Sequence, residues 1–254
     1  ISGYVVAFVG HRFPGMDGVL LIALGTLASV VAGMLIGAFV VRYREIFFGM
    51  LNLAISMVLF TVLGKFYAVT GGTDGLRINR PTLLGFELTR DPFEIALLVL
   101  VVAISLAAIW GVQRYFVSSG GQALAAIKTN ETRLEYLGVS AKKVLWKGYV
   151  LSASLCGLSG SLFGLSQGLV TPEMGYWLRS GEFVFIAILG GAGHAVGAFV
   201  GAILYEFLKM YAAALVSGSW QLVLGAILIV IIYFLPKGIT GLMNRRKRLI
   251  GGAA

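Results

Sequence analysis

Few side chains in this sequence can do chemistry, and most of those lie inside long apolar runs. Asn52 and Ser56 are four residues apart, so a helix places them on one face, and Thr61 follows in the same run. Polar groups within a membrane helix usually face the interior of a bundle. These three can line a path for a polar solute or bond a neighbouring helix. Glu182 opens the run Phe183–Leu189, where a carboxylate in a first helical turn complements the helix dipole. Gly190, Gly191 and Gly193 then arrive almost together, with His194 just behind. His194 can bond backbone freed at a break or move with a gate, although a lone histidine in an apolar run is more often a packing residue. Glu206 and Lys209, three apart, are expected to pair. The two histidines and one cysteine (His11, His194 and Cys156) are far apart, which gives no metal-ligand spacing and no disulfide within the chain. No spacing sets a nucleophile beside a base. The sequence therefore offers no catalytic residue, no metal ligand set and no cofactor site. Its chemistry suits passage of a solute rather than conversion.

These residues belong to a chain that is 58% hydrophobic and only 12% charged, with a mean hydropathy of +0.92. Soluble domains carry about 25% charged residues, so this is an integral membrane protein. The element that organises it runs from Ser180 to Lys209. Phe183 to Leu189 continues a helix for about a third of the ~20 residues a span needs. The glycine cluster then interrupts it, each glycine costing a helix roughly 1 kcal/mol relative to alanine. The apolar run resumes with Gly193, Gly197 and Gly201 four apart, a face that lets another helix approach closely. Broken backbone survives at membrane depth only where protein or a water-filled cavity satisfies it. A half-helix, a glycine break and a small-residue helix is how transporters build irregular backbone at mid-membrane.

The remaining elements are spans and loops. Ile1–Val9 reads as the tail of a membrane helix, and Val19–Val41, Ile46–Val69, Phe93–Val117, Gly148–Leu169 and Trp220–Leu235 read as spans. Placing the Arg42–Glu45 turn, the Ser118–Lys147 loop with Arg114 at the end of the span before it, and the C-terminal tail on one side collects 13 of the 20 basic residues there, so that side is expected to be cytoplasmic. The net charge of +9 is then a topology signal, with the tail able to touch anionic lipid, and not a mark of nucleic-acid binding. By parity, residues 180–216 must leave and return on the outer side, either as a re-entrant hairpin or as two thin crossings. The expected fold is an all-α, polytopic transmembrane helical bundle with a broken, glycine-rich, re-entrant segment.

Within the cytoplasmic loop, Gln122–Gly138 reads as one amphipathic helix. Leu124, Ile127, Leu134 and Leu137 form its apolar face, Gly138 ends it, and Ser140 caps the next helix. A narrow apolar face among mixed charges suits a groove on a soluble partner better than lipid.

Three separated stretches now point to a family: AAIKTNETRLEYLGVSAKKVLWKGYVLSA, SLCGLSGSLFGLSQGLVTPE and SGEFVFIAILGGAGHAVGAFVGA. Together they resemble the branched-chain amino-acid permease family of ABC importers, closest to the M-type subunit, of which TGGTDGL in the outer loop is also typical. The resemblance covers nearly the whole chain. It implies a single permease domain over 1–254, with one or more further spans upstream of Ile1 and a coupling loop at 118–147. It also implies a second related permease, two cytoplasmic ABC ATPases and a periplasmic or lipid-anchored solute-binding protein as partners, in the bacterial inner membrane. In these terms Leu124, Ala125, Ala126, Ile127, Asn130, Glu131, Leu134, Leu137 and Gly138 form the coupling segment at or near the ATPase groove. Lys128-Thr129-Asn130 departs from the Arg-Glu-Asn many relatives carry. The chain has no GxxxxGK[ST] loop, so ATP hydrolysis is expected of its partners and the chain is not expected to be an enzyme. Two alternatives remain: an ion-coupled secondary transporter, which would need an intramembrane carboxylate that the deep spans do not offer, and a permease of the same family for urea or amides.

Overall fold

The computed structural model describes residues 1–83, 85–86, 89–191, 195–215, 220–234 and 238. The chain divides into two compact units, Ile1–Trp177 and Leu178–Ala254. The first holds α1 (Ser2–Arg12), α2 (Gly18–Val40), α3 (Glu45–Lys65), the short α4 (Tyr67–Thr70), α5 (Arg90–Val117), α6 (Ser119–Thr129), α7 (Glu131–Tyr136) and α8 (Ala141–Gln167). Two short strands, β1 (Leu76–Arg77) and β2 (Leu169–Val170), pair antiparallel. From the boundary onward come α9 (Trp177–Gly190), α10 (Ala195–Leu215) and α11 (Trp220–Phe234). The fold is all-α and polytopic: five helices are long and apolar enough to cross a bilayer, namely Gly18–Val40, Ile46–Lys65, Asp91–Val117, Ala141–Gln167 and Ala195–Ala214.

Helices in lipid gain little from burying apolar surface against each other, so close van der Waals packing must hold them together. The α2–α8 pair does this with a ridge of small residues on each helix. A Cβ on Gly25 would meet Ser161, one on Gly33 would meet Ala153, one on Gly37 would meet the Tyr149 ring, and one on Gly157 would meet Ser29. As the α2 position rises by four the α8 position falls by four, so the helices are antiparallel and their ridges share one register. Gly160 and Gly164 of α8 face α1 instead, against Ser2 and Gly3. Around this seam lies a core of Val6, Ala7, Leu21, Ile22, Leu162 and Leu165, closed at one end by Ile78, Leu83 and Val170.

That end is built by the loop TGGTDGL. Thr70 Oγ1 donates to the carbonyls of Leu63 (2.6 Å) and Phe66 (2.8 Å). Gly75 has φ +76, and a side chain there would strike the Val170 carbonyl. The chain then enters β1, and Ile78 N–H donates to the Gly168 carbonyl at 2.8 Å. Asp17 caps α2 by accepting from Val19 N–H at 3.1 Å. At the opposite end of the spans lie the Arg42–Arg44 turn and the α6–α7 loop.

The second unit contains the break. α9 has 14 residues and α10 has 21, lengths of about 21 and about 31 Å at 1.5 Å per residue, against a hydrocarbon core of about 30 Å. α9 is therefore longer than the eight or so residues expected from sequence, because the helix starts at Trp177, directly after the extended Tyr176. It is still too short to cross the hydrocarbon core without local thinning of the bilayer. α9 ends at Gly190, Gly191 has φ +95, and helix resumes at Ala195. Leu189, Tyr205, Ala212, Leu224 and Leu228 form this unit's core.

Candidate functional site

Three groups of residues come from the sequence: the cytoplasmic loop, the polar face of α3 and the glycine break. In the loop the expected single helix over Gln122–Leu137 is two. α6 ends at Thr129, Asn130 is extended (φ −161, ψ 100), and its side chain accepts from Arg133 N–H at 3.0 Å as the N-cap of α7. An asparagine that can satisfy a free helical N–H breaks a helix readily, and the apolar spacing across it gave no sign of this. α7 closes with Gly138 at φ +80; Val139 N–H donates to the Leu134 carbonyl and Gly138 N–H to that of Glu135, the double C-terminal bond that glycine in a left-handed conformation permits. Ser140 occupies the N-cap position of α8 but makes no side-chain capping bond.

The break divides the expected apolar face. Leu134 is 8% exposed and packed within this chain, so it is not part of an outward face offered to a soluble partner. Leu124 lies beside Gly148 of α8, and Ala126 and Ile127 are half-buried. Outward stand Leu137 at 74% and Tyr136 at 87% exposure, with Ala125, Asn130 and Gly138 also exposed. Glu131 points back to its own chain. Arg44 Nε donates to its two carboxylate oxygens at 2.8 and 3.1 Å, Nη2 lies 2.6 Å from Oε1, and Nη1 donates to the Val41 carbonyl at 2.6 Å. Sequence reasoning counted Arg44 only as a topological charge; a pairing across 87 positions leaves no local signal.

On α3, Asn52 Nδ2 donates to the Phe48 carbonyl at 3.0 Å, and Tyr149 of α8 donates its hydroxyl to Asn52 Oδ1 at 3.0 Å. Ser56 Oγ donates to the Gly175 carbonyl at 3.3 Å, in the 3₁₀ turn Pro172–Gly175. Thr61 Oγ1 donates to Met57 within its own helix at 2.9 Å. Two of the three side chains thus join α3 to other elements, one of the two roles open from sequence.

At the break, a Cβ on Gly190 would overlap the Gly197 carbonyl, and one on Gly201 would meet Ile186 O and the Gly190 backbone. The small-residue face of α10 is filled by the α9 backbone. A side chain on Gly238 would strike Gly191. Gly193 and His194 lie outside the described residues. Glu182 is the sixth residue of α9, not in its first turn, so a dipole role is replaced by ion pairing: Arg179 Nη1 is 3.1 Å away and Lys209 Nζ 3.8 Å. At the outer loop, Tyr67 donates its hydroxyl to Asp74 at 3.1 Å, and this bond raises the phenol above its usual pKa. Among the described residues no group of three or more His, Cys, Asp or Glu could hold a metal ion.

Residues 1–233 match the family described as branched-chain amino acid transport system / permease component. The high-affinity branched-chain amino acid transport system permease protein LivM of Escherichia coli (strain K12) is 25% identical over 275 aligned residues, covering 100% of this chain and 64% of LivM. LivH of the same organism is 26% identical over 147 residues, 58% of this chain and 47% of LivH. A probable branched-chain amino acid transport permease protein LivH of Methanocaldococcus jannaschii is 26% identical over 208 residues, 78% of this chain and 65% of that protein. The chain thus spans just under two thirds of the length of LivM. No solved structure matches.

Proposed function

The chain belongs to the branched-chain amino acid transport permease family, and from that premise we propose that it is a membrane-spanning permease subunit of an ABC importer, carrying branched-chain amino acids inward. It is an integral membrane protein; its place in the inner membrane of a bacterial cell, with loop 118–147 and the C-terminus cytoplasmic, is part of the proposal. A second permease completes the pathway, two ATPases supply the energy, and a solute-binding protein delivers the amino acid outside. The chain itself hydrolyses nothing. The observation that carries the reading is the α6–α7 loop at one end of the spans, which presents Tyr136 and Leu137 outward on a frame held by the Asn130 cap and the Gly138 turn.

An apolar tip of this kind gains about 1.5–3 kcal/mol for each side chain fully buried in a groove, enough for two residues to anchor a docked helix. Asn52, Ser56 and Thr61 are proposed to border the solute path, with the α3–α8 bond of Asn52 opening or persisting as the bundle moves. α9 and α10 are proposed as the re-entrant segment, entering and returning on the outer side, with the Gly190–Gly197 contact holding the two together near the break. The test is copurification from native membranes: the chain should bring down a second permease and an ATPase carrying a phosphate-binding loop. Recovery of the chain without any ATPase, under conditions that retain other importers intact, would sink the proposal.

A further inference from the structure

α3 is attached to the rest of its unit in an unusual way. None of its described residues is buried, yet one line of contacts runs along it at every fourth residue. Arg44, at its N-cap, clamps Glu131 of α7. The Phe48 ring meets the Tyr149 ring edge-on, with centroids 6.4 Å apart. Asn52 takes the Tyr149 hydroxyl, Ser56 reaches Gly175, and the Phe60 ring lies 5.1 Å from that of Tyr176. At 3.6 residues per turn a spacing of four keeps neighbours in line while drifting about 40° each time, so the five form a stripe that winds part of the way round the helix. Away from this stripe α3 also neighbours α2, α4 and the Gly72–Asp74 turn, and its Leu63 carbonyl accepts from Thr70, but a helix with few buried apolar contacts can move as a unit more easily than one packed in a core. The α2–α8 pair, locked by matched small-residue ridges, is the fixed body beside it. The seam's strongest polar element, a bidentate charge-assisted pair, sits at the loop end and joins the loop to α3 directly.

Resting on the proposed function, we infer that Arg44 is the positioning residue that passes displacement of the α6–α7 loop to α3, through Glu131. Glu131 then serves the inside of the permease and is not a contact for the ATPase. The pair acts as a strut: a shift of α7 draws the start of α3 with it. The outer contacts of Ser56 and Phe60 carry the movement to the turn at Pro172–Gly175, at the far end of the same seam.

The test uses Arg44→Gln, Glu131→Gln and the exchange Arg44→Glu with Glu131→Arg, in the transporter assembled with its copurifying subunits. Spin labels on Ile46→Cys and Thr132→Cys, both at exposed positions, in a Cys156→Ser background report the α3–α7 distance. The wild-type pair should give one narrow distribution; either Gln variant should broaden it, and the exchange should narrow it again. In proteoliposomes, both Gln variants should keep membrane abundance and ATP hydrolysis while radiolabelled leucine taken up per ATP falls several-fold. A merely structural pair would instead lower abundance, hydrolysis and uptake together. Unchanged distances, or unchanged uptake per ATP in both Gln variants, overturns the inference. Failure of the wild-type transporter to take up leucine would strike the proposed function, and the distances would still decide whether the strut exists.

Discussion

Gly33 sits where a Cβ would overlap the Ala153 side chain, and Gly157 where one would overlap Ser29. Gly33→Leu or Gly157→Leu should therefore push α2 from α8. Overpacking costs about 1–3 kcal/mol, and the loss should appear as a lower melting temperature of the purified chain and reduced membrane abundance. Gly49→Ala is the control, since nothing lies within 4 Å of a Cβ there; it should lower neither, because alanine favours the helix over glycine. The small residues were legible in sequence as Gly- and Ala-rich spans, but the register was not. Gly160, Gly164 and Gly168 draw the eye, whereas the seam with α2 uses Ala153, Gly157 and Ser161, one position round the helix. Position four apart was visible in both helices; only the partner's placement tells which of two neighbouring stripes is used. At the outer loop, the Tyr67–Asp74 bond gives a titration that can be followed. The folded phenol is raised above its unfolded value, so the bond's contribution is present below the ordinary tyrosine pKa and is lost as pH rises through the raised value. Asp74→Asn should move the Tyr67 phenolate transition, followed by NMR of ring-labelled tyrosine, to lower pH; no movement would show that the bond is not formed in solution.

The α6–α7 loop shows where periodicity misleads. Leu124, Ile127, Leu134 and Leu137 satisfy one helical face, and the loop's position and its Gly138 stop agree with that reading. The chain nevertheless turns at Asn130, because the side chain supplies the acceptor that a new helix start requires. The turn sends Leu134 inward and leaves Leu137 outside. The two leucines should then respond differently. Leu137→Asp should leave abundance near wild type and abolish ATPase pull-down. Leu134→Asp places a carboxylate in a packed site and should lower abundance first. If both variants lose the ATPase at equal and normal abundance, Leu134 faces the partner and its packing within the chain is not maintained in the complex. Asn130→Ala removes a cap typically worth ~1 kcal/mol and should reduce pull-down partially, by loosening α7 rather than by removing a contact. The start of α9 was equally hard to read, because Trp177-Leu-Arg-Ser-Gly-Glu182 mixes apolar, charged and small residues without a clear N-cap.

For the whole molecule, long apolar runs made the spans legible. A stretch of about 20 apolar residues has few alternatives to a helix in a bilayer, and four of the five long helices follow the runs read as spans; the fifth, Ala195–Ala214, falls in the segment read as re-entrant, while Trp220–Phe234, read as a span, is a shorter apolar helix of 15 residues. The basic-residue split adds a side to each end. The structure brings Arg44 and Glu131 together at one end of the first unit and joins β1 to β2 at the other. Ser140 makes no capping bond, so Ser140→Cys in a Cys156→Ser background should be benign. It should react with a membrane-impermeant thiol reagent only in inside-out vesicles; labelling in right-side-out vesicles would reverse the orientation. The central claim, that this chain is the permease of an ATP-driven importer, is tested most directly by leucine uptake into proteoliposomes. These would carry the chain with its copurifying permease and ATPases, with ATP inside and the loaded binding protein outside. The account predicts accumulation against a gradient that needs ATP, persists when ion gradients are collapsed, and disappears with Leu137→Asp. Accumulation that needs no ATP and is abolished by an ionophore would contradict it.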